Sequence, residues 1–232
     1  MVNHVSRLYV ARMIPWETLD TASIPGGDET LRLKRRGSEY TIMLGTNELM
    51  NSRLSGSEEA LARLTIETMG ARPAPKVLIG GLGMGFTLRA ALSQLPPKAR
   101  VTVAELVPAV VVWARGPMAD LHAGTLDDPR VSIFEGDVGD AIARGGWDAI
   151  LLDVDNGPEG LSRSGNDALY GHSGLANSHR ALRPGGVFSV WSSGPNHGFT
   201  RRLKQAGFAV SEQSIRAGRG RGARHVIWLA VA

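Results

Sequence analysis

Residues 76–85, Lys76-Val77-Leu78-Ile79-Gly80-Gly81-Leu82-Gly83-Met84-Gly85, constrain the fold more than any other stretch of the chain. The apolar run Val77-Leu78-Ile79 is too short for a helix and reads as a strand buried on both faces. Four glycines in the next six positions mark a turn where the backbone itself must pass close to something, because glycine carries no Cβ and takes positive φ freely. Residues 87–95 then read as a helix, stopped by Pro96-Pro97. Strand, glycine turn and helix together open a parallel α/β sheet, and ligands of such sheets sit beyond the carboxyl ends of the strands.

The same unit repeats downstream. Strand-like segments occur at 100–105, 131–134, 147–152 and 187–191, with helical segments at 108–118, 172–182 and 199–206. Arg183-Pro184-Gly185-Gly186 reads as a helix stop, and segments 209–215 and 225–231 close the chain as a hairpin that suggests an antiparallel edge strand. The expected fold is α/β: a doubly wound, mostly parallel seven-stranded sheet with an antiparallel terminal hairpin. Residues 1–56 have a different texture, short β-type segments separated by turns, with 30–36 and 39–44 flanking Gly37-Ser38 as a hairpin. Ser57-Glu58-Glu59 reads as the N-cap and acidic first turn of a helix reaching about Met69. The division is therefore a small β-rich segment, 1–56, and a Rossmann-like domain, 57–232.

Composition narrows the function classes. With 232 residues and 43% hydrophobic side chains the chain can bury a full core. No run approaches the roughly 18 apolar residues of a membrane span, and residues 1–4 lack a signal pattern, so a cytoplasmic location is expected. There are no cysteines, which excludes disulfide and thiolate chemistry. The net charge of +4 gathers at Arg32, Lys34, Arg35 and Arg36 and at Arg216, Arg219, Arg221 and Arg224. No aromatic residue interleaves with these arginines as a base-stacking surface requires, so nucleic-acid binding is not supported. The six histidines show no metal-ligand spacing, and no metal is expected.

Two acidic residues give the glycine loop chemical meaning. Glu105 ends the second strand and can accept both hydroxyls of a ribose. Asp137, just after the third strand, is placed to accept from an adenine amino group. The neighbours Leu106 and Val138 complete the expected cofactor contacts, together with Gly81, Gly83, Met84, Gly85 and Asp153. A dinucleotide fingerprint would need glycine at position 86, where the chain has Phe86. The spacing is G-x-G-x-G instead.

From Val77 to its end the chain resembles class I S-adenosylmethionine-dependent methyltransferases, and more closely their spermidine synthase (polyamine aminopropyltransferase) branch. The residues that carry this are 77–81 running to Thr87-Leu88-Arg89, Asp128-Pro129-Arg130-Val131, Glu135-Gly136-Asp137, Trp147-Asp148-Ala149-Ile150-Leu151-Leu152-Asp153 and Ala181-Leu182-Arg183-Pro184-Gly185-Gly186. The resemblance implies a Rossmann-like methyltransferase fold, S-adenosylmethionine or its decarboxylated form as cofactor, a small-molecule acceptor with amines among the candidates, and a homodimer. Two positions depart from the branch. It carries an aspartate in the glycine loop that holds the aminopropyl amine, where this chain has Met84. It also carries a second aspartate after the fourth strand that helps deprotonate the attacking amine, where this chain has Asn156.

Asp153 and Asp155 are the candidates for positioning the acceptor, with Asn156 as a polar contact and Tyr170 as a pocket wall. Trp113, Trp147, Trp191 and Trp228 fall inside expected elements and are assigned to the core. Because a thioether at Met84 cannot balance an ammonium, the residues alone put methyl transfer first. Aminopropyl transfer and an inactive relative of the fold stand as alternatives.

Overall fold

The computed structural model describes residues 14–154, 157–158, 169–218 and 222–232. Four strands open it: β1 (Glu17–Ser23), β2 (Thr30–Arg36), β3 (Glu39–Leu44) and β4 (Asn47–Asn51), antiparallel and paired in sequence order. Alternation along β2 buries Leu31 and Leu33 and turns Arg32, Lys34 and Arg36 to the opposite face. Arg35 and Arg36 pair with Glu17 at 3.3 Å and Glu39 at 2.7 Å.

Helix α1 (Gly56–Met69) leads into β5 (Lys76–Gly80), α2 (Phe86–Leu92), β6 (Arg100–Glu105), α3 (Pro108–Arg115), α4 (Ala119–His122) and β7 (Val131–Glu135). Then follow α5 (Val138–Ala143), β8 (Trp147–Leu152), α6 (His172–Ala181), β9 (Leu182–Ser192), α7 (His197–Gln205), β10 (Ala209–Arg216) and β11 (Arg224–Val231). The strand order is β10-β11-β9-β8-β5-β6-β7. Strands β5 to β9 run parallel, while β11 is antiparallel to both β9 and β10. This is the doubly wound, mostly parallel seven-stranded sheet of a Rossmann-like fold. The final strand is inserted inside the sheet, and β10 forms the edge. No helix among the described residues is long and apolar enough to cross a membrane.

The strands are apolar throughout because both faces are covered, and period-2 alternation sorts their side chains. Val77, Ile79, Ala149 and Leu151 face α1, α2 and α3 in a core that continues into the N-terminal sheet through Leu31, Leu33 and Ile42. Leu78, Ile150 and Leu152 face the other way, against Val138 and Ile142 of α5, Leu175 of α6 and Phe199 of α7. The N-terminal sheet is also tied to α3 by a bond from the Trp113 indole N–H to Asp20 at 2.6 Å. Thr65 pins α1 to β9 by donating to Ser189 at 2.7 Å.

Several boundaries differ from the sequence reading, each for a local reason. Ser57 is not the N-cap. Ser55 holds that position, and Ser57 lies within the first turn, fully buried. The helix expected over 108–118 breaks after Arg115, because Gly116 ends the turn and Pro117 cannot donate to continue it. The helix expected over 87–95 ends at Leu92. Arg183-Pro184-Gly185-Gly186 does not stand between helix and strand. The register passes from Trp147↔Leu182 to Ala149↔Val187, so these four residues form a bulge within β9, where proline is tolerated. Helix α5, only six residues long, is too short to show a period in the sequence.

At the amino-terminal end of the sheet, buried Asp148 accepts from Arg72 Nη1 at 2.7 Å, the Lys76 backbone N–H at 2.7 Å and Arg183 Nη1 at 2.9 Å. Asp148→Ala strands one backbone donor and a partly buried guanidinium. It is expected to lower unfolding stability by about 3 kcal/mol, read from the denaturant midpoint. A loss below about 0.5 kcal/mol would show that the cluster contributes nothing beyond an exposed ion pair.

Candidate active site

The chain turns outward from β5 to β6 and β7 and then crosses back to β8, so the sheet's switch point lies between β5 and β8. The glycine loop crosses that point. Gly81 takes φ +90°, its N–H donates to the Ala104 carbonyl at 2.8 Å, and a Cβ there would collide with the carbonyl oxygen of Asp153. Only glycine fits between the two neighbouring strands. Gly85, at φ +77°, opens α2 against the ring of His122, which burial and the nearby Arg89 charge push down to about 4, keeping the imidazole neutral.

Glu105 ends β6 and is buried. Its Oε2 accepts from Leu82 N–H at 3.0 Å and its Oε1 from Val107 N–H at 2.9 Å, so loop and strand end are locked to one carboxylate. Burial raises its pKa, and the backbone donors oppose that rise. Asp137 is the N-cap of α5, and its Oδ1 accepts from Gly139 N–H at 2.7 Å. The capping role thus occupies one of its oxygens, and the side chain stands exposed at the mouth of the site.

Two adjoining cavities open here. The first, about 120 Å³, is lined by Gly81, Gly83, Glu105, Leu106, Asp137, Val138 and Asp153, and Leu31, Ile42 and Met50 of the N-terminal sheet close it over. Every expected cofactor residue except Met84 and Gly85 therefore meets at one place. Those two line the second cavity instead. It measures about 80 Å³, and Glu58, Phe86 and Trp191 complete its wall. The cavities share Leu49, Met50, Gly83 and Asp153. A larger surface hollow, about 690 Å³ beside Arg63, Arg89 and Arg216, is shallow and shares no lining residue with either.

Asp153 occupies the junction. Its Oδ2 accepts from the Thr87 hydroxyl at 2.6 Å. Burial first, and the charge of Glu58 second, push its carboxyl up to about 7, against the opposing bond from Thr87. Glu58 is likewise raised, mainly by burial. Its Oε2 accepts from the Ser57 hydroxyl at 2.6 Å, and Ser57 in turn pairs with His225 Nδ1 at 2.9 Å.

The remaining expected site residues fall elsewhere. Asp155 and Asn156 lie outside the described residues. Tyr170 is buried in the core, edge-on to Phe199 with ring centroids 5.5 Å apart, and is absent from the described lining of both cavities. Of the wall residues that escaped the sequence reading, Trp191 and Glu58 carry the most chemistry. Trp113, Trp147 and Trp228 are core as expected, but half-buried Trp191 belongs to the second cavity. Glu58 reads in the sequence as an ordinary first-turn carboxylate favoured by the helix dipole. Only its place across the loop from Asp153 sets it apart.

No protein-family model matches the chain. Among solved structures, the spermidine synthase from Thermotoga maritima aligns with a TM-score of 0.70 at 18% identity, covering 92% of this chain and 72% of that one. A spermidine synthase in complex with the transition-state analogue AdoDATO gives 0.69 at the same identity and coverage. Among curated proteins, the polyamine aminopropyltransferase of Mycobacterium tuberculosis is 35% identical over 158 residues, 63% of this chain and 28% of that protein. Polyamine aminopropyltransferase 1 of Streptomyces coelicolor is 31% identical over 153 residues, 62% and 28%. The chain thus spans less than a third of the length of these curated relatives. Its fold is that of the class I S-adenosylmethionine-dependent methyltransferases. Within that class it resembles the spermidine synthase, or polyamine aminopropyltransferase, branch.

Proposed function

We propose that the chain is an aminopropyltransferase that uses decarboxylated S-adenosylmethionine and an amine acceptor. The observation that carries this reading is the meeting of two cavities at Asp153, one lined by the glycine loop, Glu105 and Asp137 and one walled by carboxylates and aromatic rings. The similarity to proteins named as polyamine aminopropyltransferases supports it. Methyl transfer, which Met84 put first, yields to this reading because the relatives reported above are aminopropyltransferases by name.

The residues fit such a cofactor. Gly81 and Gly83 let the loop backbone approach it, and Glu105, fixed by two amides, presents a carboxylate at the end of β6 where a ribose would lie. Leu106, Val138 and the roof residues offer apolar faces to a base, with Asp137 at the rim. When bound, the cofactor's sulfonium supplies an electrophilic carbon. In the transfer a C–N bond forms, the C–S bond breaks with its electron pair going to sulfur, and the new ammonium sheds a proton. Asp153, with its carboxyl poised near neutrality, accepts that proton or orients the amine. Holding the partners in line is worth about 7–11 kcal/mol in well-oriented systems, and the shared wall at Gly83 and Asp153 sets that line.

The test is incubation with decarboxylated S-adenosylmethionine and 1,4-diaminobutane, followed by mass spectrometry. Spermidine and 5′-methylthioadenosine are expected in equal amounts. Methylated product from S-adenosylmethionine, or binding of neither cofactor form, would overturn the reading.

A further inference from the structure

Glu58 and Asp153 place two carboxylates on one small cavity, and among the described residues no lysine, arginine or histidine lines it. The adjacent Glu59 shows the contrast. It faces outward and is answered by Arg89 at 3.7 Å, whereas Glu58 makes no salt bridge among the described residues. Among the described residues its side-chain donor is the Ser57 hydroxyl, and that of Asp153 is the Thr87 hydroxyl. Each of these bonds occupies one oxygen of its carboxylate. A cavity of this kind repels anions and gains little from a neutral guest, but a cation brings both carboxylates a partner.

The rest of the wall specifies what kind of cation. Phe86, whose ring already carries the Arg89 guanidinium over it, and Trp191 add aromatic rings to the wall, and Leu49, Met50 and Met84 offer apolar contact suited to methylene groups. The indole Nε1–H of Trp191 is buried and meets no acceptor among the described residues, an independent sign that the wall is completed by a bound molecule. Glu58 is held in position from below by Ser57, which His225 of β11 anchors.

We infer that Glu58 is the residue that selects an aliphatic ammonium in the acceptor cavity, supplying from helix α1 a negative charge that the glycine loop, with Met84, does not provide. This inference rests on the aminopropyl-transfer reading for the identity of the cavity. Asp153 keeps the reacting end, and Glu58 binds charge without touching the reacting carbon.

The experiment is calorimetry on the full chain saturated with 5′-methylthioadenosine, titrated with 1,4-diaminobutane, 4-amino-1-butanol and 1,4-butanediol. The diamine is expected to bind at least about tenfold more tightly than the diol, the scale of one charge-assisted hydrogen bond. Glu58→Gln should weaken diamine binding by about 10–100-fold, leave diol binding unchanged and leave 5′-methylthioadenosine affinity within about twofold, the last serving as the check on folding. Glu58→Asp, which keeps the charge, should recover part of the loss. Equal diamine affinity in wild type and E58Q, equal losses for diamine and diol, or no preference for the diamine in the wild type would each overturn the inference. The two readings fail separately. A chain that binds diamine through Glu58 but transfers nothing loses the proposed reaction and keeps the site. A chain that makes spermidine with an unchanged KM for the amine in E58Q keeps the reaction and loses the role of Glu58.

Discussion

Asp153→Asn is expected to slow the proposed aminopropyl transfer by about two to four orders of magnitude, the range a positioned proton acceptor contributes, while making the protein more stable at pH 8. The two effects have one cause. Burial and the Glu58 charge lift the Asp153 carboxyl to about 7 from an ordinary 3.8, so the fold favours the protonated form. The contribution of this group to stability is fully present below about pH 4. It is lost as pH rises through about 7, where the unfolded chain is already ionised and the folded chain is forced to follow. A shift of this size corresponds to a penalty on the order of 4 kcal/mol at most, since each pKa unit is worth about 1.4 kcal/mol. Asparagine has no charge to bury and can still accept from Thr87, so it escapes that penalty. Denaturant midpoints measured from pH 4 to 9 should therefore coincide for wild type and variant at the acid end, separate progressively between about pH 4 and 7 and stay apart above that, with the variant higher. A variant less stable than wild type at pH 8, or one with unimpaired turnover, would show that Asp153 is an ordinary structural carboxylate.

That prediction involves Glu58 as well as Asp153, and the two were not equally visible in the sequence. Local pattern sufficed wherever a residue's role is set by its own element. The Val77-Leu78-Ile79 run and the glycines after it can do little else than end a buried strand, and Glu105 at the next strand end follows from the topology. The sheet, its hairpin and the gathering of the glycine loop, Glu105 and Asp137 at one cavity were accordingly legible. Glu58 lies 95 positions before Asp153, in a helix turn where an acidic residue already has an ordinary explanation. Nothing local says that α1 crosses β8 and β9 so as to bring it against the loop. Trp191 misled for the opposite reason. Its strand is core for most of its length, and only its carboxyl end emerges at the cavity. Capping was harder still, since Ser57 has the residue type of an N-cap but sits two positions inside the helix and serves Glu58.

Gly81→Ala should abolish cofactor binding, weakening 5′-methylthioadenosine affinity by more than about 100-fold and unfolding stability by about 3 kcal/mol or more. A φ of +90° lies beyond the narrow left-handed region open to residues with a side chain, so alanine is strained before any contact is considered. Its methyl group would also strike the backbone of Asp153, and neither side can retreat. Asp153 N–H is bonded to the Gly80 carbonyl at 3.0 Å, and Gly81 N–H to the Ala104 carbonyl at 2.8 Å. Relief requires lifting the loop, which pulls Leu82 N–H off Glu105 and leaves a buried carboxylate short of a donor. Gly83→Ala provides the control within the same loop. Its φ of +49° is accessible to alanine, and the added Cβ meets the Met50 sulfur at 3.0 Å, on a flexible side chain that can turn away. That variant should lose no more than about 1–2 kcal/mol and keep measurable affinity. Equal behaviour of the two alanine variants in calorimetry and denaturation would mean that the loop's glycines act through general flexibility. A severe loss confined to Gly81 would establish that the approach of one backbone to another at the end of β5 is what forms the site.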